Sequence, residues 1–389
     1  MTTATTSGPV RRHGLDALRA AALGLGIVLH SLIPFAPGAL WLVTDSQTSE
    51  AVGAPLVLIH LFRMVLFMML AGYFGRMVLH RRGAGAYLRD RTLRILMPLV
   101  AFWPVAVLSL GILAGVNVEL RGVEAPAMVT TDVSSPLLAF TPGQLWFLLV
   151  LMECVLITVA VRAVARRVVG PDRVSRLSGR AGALLASPFG VVLAAAPYLA
   201  GLLVQGHTAG GIVEPFTVLP EVAPLVTYLG AFLVGWFLHG HTAALPRLGA
   251  TWPAHLVAAV ALSAAVLLGS AALPLWAAAV LTAVAGWTWT YGLVGLCSRH
   301  LTRERPAVRY LADASYWMYL LHLPLLVGIE IVLADLTWPI PVKLAVTWVG
   351  SGVVLLLSYD LLVRDTWLGR WLNGRRHPRA LRRQAVPAG

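Results

Sequence analysis

The sequence predicts an all-α integral membrane protein of about ten transmembrane helices with both termini in the cytoplasm. Three observations lead there. Apolar residues make up 58% of the 389-residue chain and charged residues only 12%, against about 45–50% and about a quarter in soluble domains; the mean hydropathy is +0.78. The apolar residues fall in continuous runs of about 20, the length that crosses a bilayer as a helix, and not in the alternation of a barrel strand. The charges are sorted as well. If the first run enters from the cytoplasm, every Lys and Arg except Arg63, Arg121 and Lys343 falls on an inner segment. Asp45, Glu50, Glu119, Glu124, Asp132, Glu214, Glu221 and Asp335 collect outside, as the positive-inside rule requires.

The elements follow in order. Residues 1–14 form a polar cytoplasmic tail, and residues 15–365 a single membrane domain with spans near 16–36, 55–75, 95–115, 144–163, 188–205, 222–240, 254–273, 275–297, 314–334 and 340–362. Asp16 and Arg19 interrupt the start of the first run, so it is not a signal peptide. The outer loop 116–142 carries Pro126, Pro136 and Pro142, and is expected to form a lid or short helices. The tail 366–389 is basic and suits an anionic inner leaflet. Cys154 and Cys297 fall within spans and read as small buried apolar residues. The net charge of +13 is dispersed over short inner segments, which argues against nucleic-acid binding. No metal-ligand spacing stands out, and no repeat of the kind transporter halves leave is visible.

An ionisable group inside a span costs about 2.5–3.5 kcal/mol and is a functional candidate by default. Away from the helix ends these are His30, His60, Arg63, Glu153, His322 and Glu330. Lys343 and Asp360 sit close enough to helix ends to reach water. Each also has a structural reading: a histidine can simply bond across two helices, and Trp146, Trp317 and Trp338 read as interface belt or packing.

The stretch "LDALRAAALGLGIVLHS" sharpens the choice. Arg19 and His30 are eleven residues apart, about three turns plus 20°, so they share one helix face separated by about 16 Å. Ala22 and Gly26 lie between them and leave room for something slender. An arginine at the cytoplasmic boundary suits a phosphate. A histidine in the outer half suits proton removal from a hydroxyl.

This Arg-x10-His arrangement resembles the first helix of the bacterial membrane acyltransferase-3 family. "HLFRMVLFMMLAGYFGRMVLHRRGAGAYLRDRTLRILMP" (60–98) is similar to its second helix, basic loop and third-helix entry, closest to the branch that succinylates osmoregulated periplasmic glucans. "QLWFLLVLMEC" (144–154) and "ASYWMYLLHLPLL" (314–326) resemble its later signatures. Where many members read Ser-Gly-Phe, this chain has Ala71-Gly72-Tyr73, and it lacks the soluble domain some members carry.

The resemblance implies a bacterial inner-membrane O-acyltransferase. It would have no permanently bound cofactor, with acyl-CoA as co-substrate and a cell-envelope glycan hydroxyl as acceptor. Arg19, Arg91 and Arg94 are then expected to hold the CoA phosphates, the last two from one face at the start of the third helix. His30 is expected to act as the base, oriented by Glu153, either by direct transfer or through an acyl-histidine. His60, Arg63 and His322 are expected to meet the substrate, Arg63 suiting an acidic acyl group such as succinyl. Two rivals stand beside this reading: the same chemistry on a small secondary metabolite, and a proton-coupled transporter or flippase that relays protons through its midplane His and Glu.

Overall fold

The computed structural model describes residues 13–39, 41–124 and 141–380. Every regular element among them is helical: α1 (His13–Leu32), α2 (Gly53–Arg82), α3 (Ala84–Arg121), α4 (Gly143–Val168), α5 (Pro171–Leu185), α6 (Gly190–Gln205), α7 (Val222–His239), α8 (Ala244–Gly269), α9 (Leu275–His300), α10 (Pro306–Leu333), α11 (Ile340–Val363) and α12 (Trp367–Asn373). Among the described residues nine helices are long and apolar enough to cross a bilayer, and α5 with α6 makes a tenth candidate bent by 98°. All ten expected spans fall on these elements. The centre of the bundle is packed by α2, α7 and α9, whose Leu66, Met68, Phe232, Trp287 and Tyr291 have almost no exposed surface.

The basic inner segment 162–180 is helical on both sides of Gly170. Arg173, Arg176 and Arg180 lie on α5 together with exposed Leu177 and Leu184, the composition of a helix lying along an interface. Pro188 sits in the break before α6, where no amide is available to continue the helical ladder. The Tyr291 hydroxyl donates to the Leu185 carbonyl at the end of α5, at 2.9 Å.

Helix α3 begins eleven residues before the expected boundary and carries two π turns, Thr92–Leu96 and Pro104–Leu108. Proline explains the first. Pro98 has no N–H to give the Arg94 carbonyl, and the Met97 amide reaches back to Thr92. The freed carbonyls find side chains elsewhere: Tyr316 Oη donates to Arg94 O at 2.7 Å and Trp371 Nε1 to Leu93 O at 2.8 Å. A local backbone irregularity thereby docks α10 and α12 beside Arg91 and Arg94.

At the opposite end, the connection from α1 to α2 is tied down residue by residue. Lys343 Nζ bonds both carboxylate oxygens of Asp45 at 2.8 Å and the Ala334 carbonyl at 3.2 Å. Lys343 has no exposed surface, so it does not reach water as its place near a helix end suggested; Asp45 neutralises it in place. Ser46 bonds Ala334, Gln47 bonds the carbonyls of Leu336 and Trp338, and Asn117 bonds that of Leu42. Arg121 forks onto Asp335 at 2.7 and 2.8 Å and also reaches the Thr44 carbonyl.

Asp360 is likewise buried, accepting the Ala380 amide at 2.9 Å. The start of the tail is tied back to α11: the His377 amide donates to Arg364 O and Arg364 Nε to Pro378 O. The expected lid at 116–142 begins as the end of α3, and residues 125–140 lie outside the described residues. Cys154 and Cys297 are buried and free.

Candidate active site

A cavity of about 800 Å³ runs through the bundle. One end is bordered by Arg19, Arg91, Arg94 and Arg375, and the other holds His30, Trp41, Arg63, Gln144, Glu214 and His322. Six of the eight expected site residues therefore line one space: Arg19, His30, Arg63, Arg91, Arg94 and His322. His60 and Glu153 do not.

Helix α1 contributes Arg19, Leu23, Gly26 and His30. Measured from Arg19 these lie at about 0°, +40°, −20° and +20° around the axis, whereas Ala22 lies at about −60°. Ala22 is accordingly buried in the core, and Leu23 takes the place expected for it. Gly26 also leaves room for Arg63. A Cβ there would stand 2.4 Å from Arg63 Nη1, so the guanidinium of Arg63 crosses α1 at this residue, one turn from His30.

His30 sits between two rings. Trp41 stacks on it nearly parallel, with centroids 5.4 Å apart and planes at 13°, and the His322 ring lies 5.4 Å away at 46°. His322 Nδ1 is 2.8 Å from the Tyr319 carbonyl. A carbonyl only accepts, so Nδ1 carries the proton and a neutral ring keeps its lone pair on Nε2. Trp41 Nε1 donates in turn to Glu330 Oε2 at 3.5 Å. Tyr319 donates to the Gln144 carbonyl at 2.9 Å, and Gln144 Nε2 to the Leu320 carbonyl at 3.1 Å. Four buried polar atoms here have no hydrogen-bond partner among the described residues: His30 Nδ1, Arg63 Nε, Gln144 Oε1 and Glu330 Oε1. Such atoms are costly unless something satisfies them.

Glu153 does not meet His30. On α4 the cavity is lined by Gln144, Trp146, Phe147, Leu148 and Leu151, and Glu153, two residues further on, is not part of that lining. A carboxylate that does line the cavity is Glu214, brought in by the loop before α7. Gln205 cinches that loop by donating to the Gly211 carbonyl at 2.9 Å and accepting from the Val213 amide at 2.8 Å. Glu214 and Arg63 line the same cavity, together with Tyr319. His60 lies against Gly211 of the same loop, outside the cavity lining.

At the arginine-rich end Asp90 organises the cations. Its carboxylate lies 2.9 Å from Arg91 Nη2, 3.2 Å from Arg94 Nε and 3.6 Å from Arg82 Nη1. Arg91 also covers the Tyr87 ring at 5.3 Å. Arg19 lies 3.9 Å from Asp16.

Trp41, Glu214 and Arg375 line the cavity without having been expected there, and no local signal marks them: each stands in a connecting or terminal segment. Trp146, expected in the belt, also lines the cavity. Trp317 packs between helices as expected, bonding Ser358 at 3.0 Å, and Trp338 is exposed.

A polytopic bundle with a cationic mouth and a histidine pair at the far end of one internal cavity defines a membrane protein built around a two-ended site. The chain belongs to the acyltransferase-3 family, whose acyltransferase domain matches residues 12–363. No curated protein and no solved structure matches the chain. It is a multi-pass membrane acyltransferase.

Proposed function

We propose that the protein moves an acyl group from acyl-CoA, bound at the arginine-rich cytoplasmic mouth, to a hydroxyl of a cell-envelope glycan presented in the opposite chamber, in a bacterial inner membrane. The observation that carries this is the continuity of one cavity from Arg19, Arg91 and Arg94 to His30. Along α1 that path is about 16 Å, a distance the pantetheine arm can cover while the phosphates stay at the mouth. Guanidinium forks suit phosphates. The outer chamber offers the flat faces of Trp41, Trp146 and Phe216 beside the polar groups of Glu214 and Gln144, a surface suited to a hydroxyl-rich ring.

In the reaction His30 takes the proton of the acceptor hydroxyl as the oxygen attacks the thioester carbonyl carbon. The C–S bond breaks, the new C–O bond forms, and the proton leaves with the CoA sulfur. The Trp41 face lies against the imidazolium that forms and favours its charge. His322, with its tautomer set by Tyr319, holds the ring from the other side. The free edge of Arg63 faces the developing oxyanion, or the carboxylate of a succinyl-type acyl group as in the glucan-succinylating branch.

Full-length protein in nanodiscs, given acyl-CoA carrying a labelled acyl group and membrane-derived glycan, should label the glycan, and a deletion strain should lose one acyl mass from it. Label appearing on a small soluble metabolite instead would move the acceptor to that class. Orientation is read separately. In a Cys-less background, Ser46→Cys should react with an impermeant thiol reagent in intact cells and Ser175→Cys should not. Labelling at position 175 would invert the assignment of donor and acceptor ends.

A further inference from the structure

The start of the basic tail also walls the cationic end of the cavity, where Leu372, Asn373 and Arg375 join the lining. It is held there by contacts from three elements. Trp371 Nε1 donates to Leu93 O on α3 at 2.8 Å, Asn373 Nδ2 to Asp313 O on α10 at 2.8 Å, and the Ala380 amide to Asp360 on α11 at 2.9 Å. Gly374, with φ +79°, turns the chain directly over Arg94: a Cβ would stand 2.2 Å from Arg94 Nη2. Only a residue without a side chain leaves that guanidinium where it is.

The residue after this turn is Arg375, whose nearest carboxylate contact is a long one, 3.8 Å to Asp313. The arginines differ in depth. The side chain of Arg91 is 23% exposed, that of Arg94 35% and that of Arg375 45%. Arg91 Nε is buried with no hydrogen-bond partner among the described residues. An extended ligand whose thioester lies deep in the bundle therefore meets Arg91 and Arg94 first and Arg375 last.

We propose that Arg375 is a donor-binding residue that grips the outermost phosphate of the nucleotide, the 3′-phosphate of the adenosine in CoA, and that Gly374 positions Arg94 for the inner phosphates. This rests on the reading of the mouth as the CoA end. The tail then makes the mouth specific for a ligand with phosphate at both depths, where a single arginine pair on α3 would accept any diphosphate.

The test measures Kd by calorimetry on full-length protein in nanodiscs with three probes: CoA, 3′-dephospho-CoA and pantetheine. Unaltered protein should bind CoA about tenfold or more tightly than 3′-dephospho-CoA, the effect of one charge-assisted contact. Arg375→Ala should abolish that preference, Arg375→Lys should restore part of it, and exposed Arg376→Ala should leave it intact. Gly374→Ala should weaken CoA and 3′-dephospho-CoA binding, and part of that loss should disappear in an Arg94→Ala background, the remainder being strain in the φ +79° turn that presents Arg375. If Arg375→Ala keeps the full preference, or unaltered protein shows none, the assignment to the tail is wrong while the CoA end stands. If CoA binds no better than pantetheine, the donor reading itself fails and takes this inference with it.

Discussion

The two ends of the cavity hold their charges in opposite ways. At the arginine-rich mouth every guanidinium has an aspartate close by: Asp16 beside Arg19, Asp90 beside Arg91 and Arg94, Asp313 beside Arg375. These side chains are also partly exposed. Such pairs are worth about 0–1 kcal/mol each because water screens them, so they exchange partners at little cost and suit a soluble anion that must come and go. In the opposite chamber His30, Arg63, Gln144 and Glu330 each keep a buried atom without a partner among the described residues. These groups are held by packing, by the Trp41 and His322 rings and by the Gln205-tethered loop. The mouth pairs its cations with exchangeable carboxylates and leaves Arg91 Nε as its buried unpartnered atom among the described residues, whereas the chamber gathers four such atoms around the His30 pair.

If that contrast is right, the largest effect comes from the chamber. His30→Ala should lower acyl transfer about 10²–10⁴-fold, the contribution of a positioned base, with the Kd for CoA unchanged because the mouth is untouched. Initial rates and calorimetry on the same preparation read the two separately. A variant that keeps wild-type turnover would move the chemistry away from α1.

The loop that carries Trp41 comes next. Lys343→Met leaves Asp45 charged and unpaired in a buried site, which costs about 3–5 kcal/mol, read as a lowered thermal midpoint. Asp45→Asn combined with Lys343→Met should recover most of it, since a buried pair is often replaceable as a unit. The double variant also tests whether the loop places Trp41 or merely stabilises the fold, because only the former leaves kcat depressed after stability returns. Full recovery of both would mean that the stack on His30 does not depend on the clamp.

At the mouth, Arg91→Ala and Arg94→Ala should each raise KM for acyl-CoA about tenfold, through loss of a charge-assisted contact of about 1.5–3 kcal/mol, with kcat little changed. Arg81→Ala, outside the cavity lining, is the control. Equal effects from all three would reduce the arginines to topological anchors.

The smallest effect is electrostatic. The Arg121 fork holds the exposed Asp335 carboxyl below its ordinary value of 3.8. A depressed carboxyl pKa stabilises the fold above the ordinary value and loses that contribution as pH falls through the folded one. Asp335→Asn should therefore lower the thermal midpoint slightly at pH 7 and not at all near pH 2. A difference that persists in acid would mean that the contact matters for shape and not for charge.

Much of this was legible in the chain itself. Hydropathy and charge placement determine ten apolar runs and their polarity, because each is a property of about 20 consecutive residues and of the bilayer's thickness. Helical periodicity alone puts Arg19 and His30 on one face, since along a single helix the angle between two side chains is set by their separation. What lies across the cavity is not of that kind. Trp41 meets His30 and Glu330, Asp45 meets Lys343, and Gly374 meets Arg94 only because helices distant in sequence pack side by side. Glu153 was expected at His30 on depth alone, and depth does not say which way a helix is rotated in the bundle. That rotation is decided by which faces of α4 pack inward, so the partner of a buried base is a property of the packed bundle and not of any one segment.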